Sequence, residues 1–298
     1  MTDNTAPPAA GWYADPNQLG QQRYWDGVGW TEASAPLMAA DWSADDTEPS
    51  RDRRVRQVYG QPLGSWGFGD VGWFVLAVIA TLVASVLLSV GVVWVAGDAF
   101  TADGAVDATS AAGSWFLTGA QTLFFAGMAV WPLIAAWRKS SGWRAAYGFV
   151  VSWRALGIGL AGGVATLVAM TVLTSLTAKL LDQEVTSAGA DVAESMTGST
   201  VAFALFLILI AIGAPFVEEL AFRGLVWGAA VKRGWSPWLA TMVAGVPFAL
   251  FHIEPLRVAP LLAAGIVLGV VRQYGGLSGA MLAHCVVNTL GVIGIVSA

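Results

Sequence analysis

The chain has 298 residues, 56% of them hydrophobic and only 12% charged, about half the charged fraction of an ordinary soluble domain. A globule of this size cannot bury so much apolar surface, so the composition indicates a membrane protein. The net charge of −5 comes from residues 1–70, with ten acids and five arginines, which argues against nucleic acid as a partner. The single cysteine, Cys285, excludes an internal disulfide and a cysteine-based zinc site.

The N-terminal part is polar and divides into three predicted segments. Residues 1–9 are expected to form a disordered tail, residues 10–33 a small soluble Trp-rich module, and residues 34–66 a linker rich in Ala, Ser, Asp and Pro. The aromatic residues of the module flank an Asp26-Gly27 turn signal, which predicts a hairpin-like unit held by stacked rings. This module resembles a short Trp-rich unit at the N-termini of many actinobacterial membrane proteins, whose function and partner are unknown.

Apolar runs of spanning or near-spanning length follow, and they predict an all-α, polytopic helical membrane protein of seven spans. The predicted N-terminal membrane helices occupy residues 67–198, and a second membrane region occupies residues 199–298. Gly213 and Pro215 would raise the count to eight if they broke the fourth run. The predicted helices cover residues 71–96, 114–137, 155–181, 199–229, 237–253, 257–272 and 277–296.

Basic residues fall in alternate joints between these runs. A cluster at Arg51–Arg56 precedes the first span, and Lys232 and Arg233 follow the fourth. Because basic residues mark cytoplasmic loops, the pattern predicts a multi-pass cell-membrane protein with a cytoplasmic N-terminus and an external C-terminus. The joint between the second and third spans adds four more cations: Arg138, Lys139, Arg144 and Arg154.

The fourth run places ionisable residues inside a span, where charge is costly and usually faces the bundle interior. Glu219 and Arg223 are four residues apart, so they share a helix face and can pair. Glu218 points about 100° away from Glu219, which leaves it free for another role. The alternative is a purely structural ion pair that fixes helix packing.

Both histidines of the chain also lie in predicted spans. His252 shares a helix face with Phe248, and His284 lies one turn before Asn288. A lone membrane histidine is more often a packing residue, so the whole set, rather than any member, predicts an active site. At about 1.5 Å per residue, Glu218 and His252 lie about 20–25 Å below the cytoplasmic joints but His284 only about 10–15 Å, a mismatch that helix tilt must absorb.

Peptide hydrolysis requires a base that activates water and donors for the oxyanion. Glu218 is the candidate base, His252 can share or orient the water, and His284 and Asn288 are candidate oxyanion donors. A zinc site formed by Glu218, His252 and His284 is the competing arrangement. The HExxH spacing of soluble zinc proteases is absent, and the metal-free arrangement needs no cofactor.

The chain resembles the CPBP intramembrane protease family, which includes the CAAX prenyl endopeptidases. The resemblance covers roughly residues 200–292 and marks residues 199–298 as a CPBP-like catalytic region. It implies a helical core open to the cytosol that cleaves a peptide or membrane-protein substrate within the bilayer. The family's motifs EExxxR, FxxxH and HxxxN correspond to Glu218-Glu219-Leu-Ala-Phe-Arg223, Phe248-Ala-Leu-Phe-His252 and His284-Cys-Val-Val-Asn288.

The resemblance also implies a role for each motif residue. Glu218 would be the general base, acting on water with His252, while His284 and Asn288 would bind the oxyanion. The Glu219–Arg223 ion pair and Phe248 would support the site. Two other classes of function stay open: a non-catalytic membrane scaffold that binds a partner protein, and a transporter or proton relay, since intramembrane Glu and His also serve transport.

Overall fold

The computed structural model describes residues 10–14, 21–36, 65–96, 101–102 and 105–297. The chain divides into two compact units, residues 1–49 and 50–298. The predicted disordered tail at 1–9 lies outside the described residues, as do most of the predicted linker at 34–66 and the Arg51–Arg56 cluster.

The N-terminal unit contains a three-stranded antiparallel sheet, one strand more than the predicted hairpin. Its strands are β1 (Gly11–Ala14), β2 (Gln21–Trp25) and β3 (Trp30–Pro36), with β2 in the centre. The rings of Trp25 and Trp30 meet edge to face, 5.4 Å between centroids, instead of stacking. The Asp26 carboxylate closes the β2–β3 turn by accepting from the backbone N–H groups of Val28 and Gly29, at 2.8 and 2.7 Å.

The second unit is helical, and its long helices follow the predicted spans within a few residues. A short antiparallel pair, Thr101–Ala102 with Ala105–Val106, connects the first two helices. Two short helices, Trp143–Tyr147 and Ala188–Ser195, were not predicted. The helices are α1 (Phe68–Ala96), α2 (Ala111–Lys139), α3 (Trp143–Tyr147), α4 (Trp153–Leu181), α5 (Ala188–Ser195), α6 (Thr200–Lys232), α7 (Pro237–Phe251) and α8 (Val258–Ser297).

Five helices among the described residues are long and apolar enough to cross a membrane, and α7 is a shorter apolar helix. The outer surface of the bundle is apolar, with large side chains exposed along α1 and α4. So large an apolar surface is stable in lipid and not in water. The predicted all-α, multi-pass membrane fold is therefore confirmed.

Helix α6 is continuous, so the alternative of a break at Gly213 and Pro215 does not occur. Instead, the helix widens in two π-helical stretches, Leu209–Gly213 and Glu219–Val226. Proline cannot donate to the preceding turn and its ring crowds the carbonyl four residues earlier. A π-helical stretch ending just before Pro215 accommodates this proline, and such stretches are common at functional sites.

Helix α8 is two antiparallel arms, 258–275 and 277–297, joined at Gly276. Gly276 has φ 70° and ψ −174°, a conformation that only glycine adopts readily. Along the first arm, the contacts move towards the start of α4: Val271 lies against Gly162, and Gly275 lies against Ile158. Along the second arm, they move towards the end of α4: Gly279 lies against Gly159, and Val286 lies against Gly163. The two arms therefore run in opposite directions along α4, as two predicted spans require.

Three helix ends meet at one end of the bundle. Lys139 at the end of α2 pairs with Asp70 at the start of α1, 2.7 Å apart. Lys232 at the end of α6 donates to the carbonyl of Trp66 and lies over its ring, 4.3 Å from the centroid. The basic end of the bundle is thus fixed by an ion pair, a hydrogen bond and a cation–π contact, as expected at a membrane interface.

Candidate active site

Glu219 is the centre of a buried network that joins α6 to the second arm of α8. Its Oε1 atom accepts from Arg223 Nη1 at 2.8 Å and from His284 Nδ1 at 2.9 Å. Glu219 and Arg223 are both fully buried and His284 is 6% exposed. The ion pair that the four-residue spacing predicts therefore forms, and it also holds an imidazole 65 residues further along the chain.

Arg223 fastens this network to α7 and to the first arm of α8. Its Nη2 donates to the Gly265 carbonyl at 3.0 Å, and its guanidinium lies over the Phe248 ring, 4.4 Å from the centroid. Gly245 and Gly265 let the two backbones approach closely, because a Cβ on Gly265 would lie 2.9 Å from the Gly245 Cα. These contacts bring the Gly265 carbonyl within reach of the arginine.

Glu218 lies beside this network and keeps one oxygen available. Its side chain is buried, and its Oε2 has no hydrogen-bond partner among the described residues. The nearest imidazole nitrogen is His284 Nε2, 3.8 Å from Oε2. A carboxylate only accepts hydrogen bonds, so the hydrogen of the neutral His284 ring sits on Nδ1 and Nε2 presents a lone pair towards Glu218. Two acceptors thus face each other across a short gap.

His252 lies at the C-terminal end of α7 and meets the site through Phe248. Its Nδ1 donates to the Phe248 carbonyl at 2.8 Å, which leaves the Nε2 lone pair available in the neutral ring. The Phe248 ring contacts the rings of both His252 and His284, at 5.0 and 5.7 Å between centroids. No nitrogen–oxygen contact within 4.0 Å links His252 to Glu218 in the described part of the chain.

Asn288 lies one helical turn after His284 but bonds to a different part of α6. Its Nδ2 donates to the Ile210 carbonyl at 2.9 Å. The motif residues of α6, α7 and α8 are therefore together in the fold, with His252 and Asn288 at the edges of the set and Glu219 at its centre.

The depth mismatch of His284 disappears because the turn of α8 lies inside the bundle. Arg272, four residues before Gly276, donates to the Arg223 carbonyl at 3.1 Å. Arg223 is nine residues from the end of α6 at Lys232, which places Arg272 about 13 Å below that end and Gly276, four residues later in an arm that runs towards it, about 8 Å below. No helix tilt is needed for His284 to reach Glu219.

Sequence reasoning missed Arg272, a buried cation that supports the site. It donates to the carbonyl of Tyr147 at 2.8 Å as well as to that of Arg223, and it lies over the Trp227 ring, 5.0 Å from the centroid. Arg272 stands at the end of a predicted span, so the rule that intramembrane charges mark functional interiors would have identified it.

The residues do not converge as a zinc site would require. Among the described residues, no three His, Cys, Asp or Glu side chains are grouped closely enough to hold a metal ion. Glu218 and His284 are neighbours, but His252 meets them only through Phe248.

A cavity of about 590 Å³ lies elsewhere, between α2 and the first half of α6. Its walls are almost entirely apolar, with Trp115, Leu205 and Leu209 among them, and it contains no candidate site residue.

Fold and site together define a multi-pass helical membrane protein with a buried acid–imidazole network at the level of the bilayer. Residues 200–290 match the family described as type II CAAX prenyl endopeptidase Rce1-like, which confirms the resemblance of this part of the chain to the CAAX prenyl endopeptidases. That family places the region among the proteases. Residues 10–42 match a second family, a protein of unknown function termed DUF2510.

The comparisons with curated proteins and with solved structures give no match to the chain.

Proposed function

We propose that the chain is an intramembrane endopeptidase in which Glu218 is the general base. The observation that carries the proposal is the 3.8 Å separation of Glu218 Oε2 from His284 Nε2, which is an acceptor in the neutral ring whose Nδ1 donates to Glu219. A water molecule can donate one hydrogen to each of them, which orients its lone pairs towards a substrate carbonyl. The Arg223 guanidinium forms its ion pair with Glu219. Glu218 is therefore the carboxylate that can take a proton from the water.

The reaction then proceeds in two steps. Glu218 takes a proton from the water as its oxygen bonds to the carbonyl carbon, and this forms a tetrahedral oxyanion. The carbon–nitrogen bond breaks as the oxyanion collapses, and the proton passes from Glu218 to the leaving amine. The substrate is a peptide or membrane protein within the bilayer, and the family's name suggests CAAX-type substrates as one class.

The roles of the two histidines follow from their bonds. The sequence assigned water orientation to His252, but the short approach of His284 to Glu218 favours His284 for it. His252 keeps its Nε2 lone pair as a second acceptor for water or substrate. Asn288 gives one Nδ2 hydrogen to Ile210 and keeps one, so the oxyanion role that the sequence predicted would depend on a single hydrogen.

The basic end of the bundle sets the proposed orientation. Basic residues, among them Lys139 and Lys232, indicate that this end faces the cytoplasm. The protein then lies in the cell membrane with the start of α1 on the cytoplasmic side. The site then lies below the cytoplasmic ends of α6 and α7.

Replacing Glu218 by Gln tests the proposal. Peptides from the membrane and secreted fractions are compared in cells that carry the wild-type protein, no protein, or Glu218→Gln. Removal of a general base is expected to lower product formation on the order of 10²–10⁴-fold. Glu184→Gln changes an exposed acid between α4 and α5 and is the matched control, with normal products expected.

Normal products from Glu218→Gln would overturn the endopeptidase proposal and leave a scaffold that acts by binding. Exhaustive chelation of the purified wild-type protein in the same comparison tests the zinc alternative. Stoichiometric zinc that is lost together with activity would replace the metal-free reaction.

A further inference from the structure

Pro215 removes a backbone donor from α6 three residues before Glu218. In the first π-helical stretch, the Ala214 N–H donates to the Leu209 carbonyl, five residues earlier. The next donor in that pattern would be residue 215, and its acceptor would be the Ile210 carbonyl. Because proline has no N–H, the helix offers the Ile210 carbonyl no donor in this pattern.

Asn288 supplies the missing donor from another helix. Its Nδ2 lies 2.9 Å from the Ile210 carbonyl oxygen, in a partly buried position. An unpaired carbonyl inside a membrane bundle is costly, because neither water nor lipid satisfies it there. The bond therefore compensates for the donor that Pro215 lacks.

The same arm of α8 holds α6 at two levels, one on each side of Pro215. Asn288 bonds at Ile210, and His284, one turn earlier in α8, bonds at Glu219. A helix held at two levels cannot rotate freely between them, and Glu218 lies in the segment between the two contacts. The direction of the Glu218 side chain thus depends on both bonds.

We propose that Asn288 is a positioning residue that holds the proline-altered part of α6 so that Glu218 faces His284. The inference rests on the proposed function for its catalytic consequence, and it differs from the oxyanion role. An oxyanion donor acts on the substrate whatever residue stands at 215. A positioning residue is needed because residue 215 is proline.

The test is a double-mutant cycle in the full-length protein with Asn288→Leu and Pro215→Ala. Alanine at position 215 restores an N–H that can serve the Ile210 carbonyl. Product formation, defined by the peptides that depend on Glu218, is expected to fall on the order of 10²-fold for Asn288→Leu when proline is kept at 215. In the Pro215→Ala background the same change is expected to cost only about threefold, a coupling typical of contacting groups.

Hydrogen exchange of the segment 209–215 provides a readout that does not depend on the reaction. Exchange is expected to increase in Asn288→Leu and to return towards the wild-type rate in the double variant. Pro132→Ala, at a proline inside α2, is the matched control and should not rescue Asn288→Leu. If Asn288→Leu does not accumulate, Asn288→Ala replaces it in the same cycle.

An equal fold loss in both backgrounds would overturn the positioning role and assign Asn288 to the oxyanion. Unchanged exchange in Asn288→Leu would also overturn it. The proposed function can fail independently of this inference. If Glu218→Gln gave normal products while Pro215→Ala still reversed the faster hydrogen exchange of Asn288→Leu, the endopeptidase proposal would be wrong and the structural role of Asn288 would stand.

Discussion

Helices α1 and α6 have the same mean hydropathy over their most apolar windows, yet α6 is buried in the protein to a much greater extent. In α1 only 6% of that window is buried inside the protein, whereas in α6 the share is 39%. The residues that follow the window in α6, 218–232, are all buried and include Glu218, Glu219 and Arg223, whereas α1 carries no charge after Asp70. Hydropathy identifies a span, and the position of charge identifies which span faces protein.

The comparison predicts the largest effect for removal of the α6 cation. Arg223→Met leaves Glu219 buried without its ion-pair partner and removes the bond to Gly265. We expect a loss of roughly 3–5 kcal/mol in the free energy of unfolding, because a buried charge is left uncompensated. Thermal unfolding of the purified protein in detergent measures it, with Val83→Leu in α1 as a nearly neutral control. Equal midpoints for the two variants would contradict the contrast between the helices.

The reverse experiment places a cation in α1. Val83 lies near the middle of the helix and is 53% exposed, so its side chain faces lipid. Val83→Arg is expected to cost roughly 2.5–3.5 kcal/mol of membrane insertion, since no carboxylate is there to receive the charge. A glycosylation-site insertion assay on the full chain measures the inserted fraction. Insertion equal to that of Val83→Leu would mean that α1 has a protein partner at this face.

The smallest effect is expected in the N-terminal unit, where charge is solvated. Backbone hydrogen bonds from Gly29 and then Val28 lower the pKa of Asp26. The carboxylate therefore stabilises the turn above the ordinary pKa of aspartate, and this contribution is lost as pH falls through the lowered pKa. A carbon NMR titration of the Asp carboxyl groups in the full-length protein measures the midpoint, and Asp26→Asn identifies the signal. A midpoint at the ordinary aspartate value would contradict this prediction.

Most of the helical architecture follows from the sequence, because a bilayer demands long apolar segments with satisfied backbones. The runs at 114–137 and 155–181 differ from α2 and α4 by no more than three residues at either end. The short helix α3 is less predictable, since its five residues have no spanning length and pack by tertiary contact. The π-helical stretches of α6 could not be predicted either, because local helix propensity does not specify which turn of the helix takes an additional residue.

For the site, spacing predicted the Glu219–Arg223 pair, because i and i+4 residues are neighbours on any helix. Spacing could not predict that His284 also bonds to Glu219, since this contact depends on how deep the Gly276 turn lies. The Asn288–Ile210 contact was equally out of reach, as its acceptor is a backbone carbonyl whose donor is missing. Side-chain patterns show which groups lie on one helix, and the bundle decides which carbonyls they meet.

The turn at Gly276 also sets an order of assembly. Arg272 and Ser278, on either side of it, bond to the carbonyls of Tyr147 and Val150, which belong to the segment joining α2 to α4. That segment is synthesised more than a hundred residues before α8. Its carbonyls can therefore already be in place when the two arms of α8 enter the membrane. Only then can His284 reach Glu219. The segment that joins α2 to α4, which contains none of the motif residues, thus supplies carbonyls that hold the hairpin carrying His284.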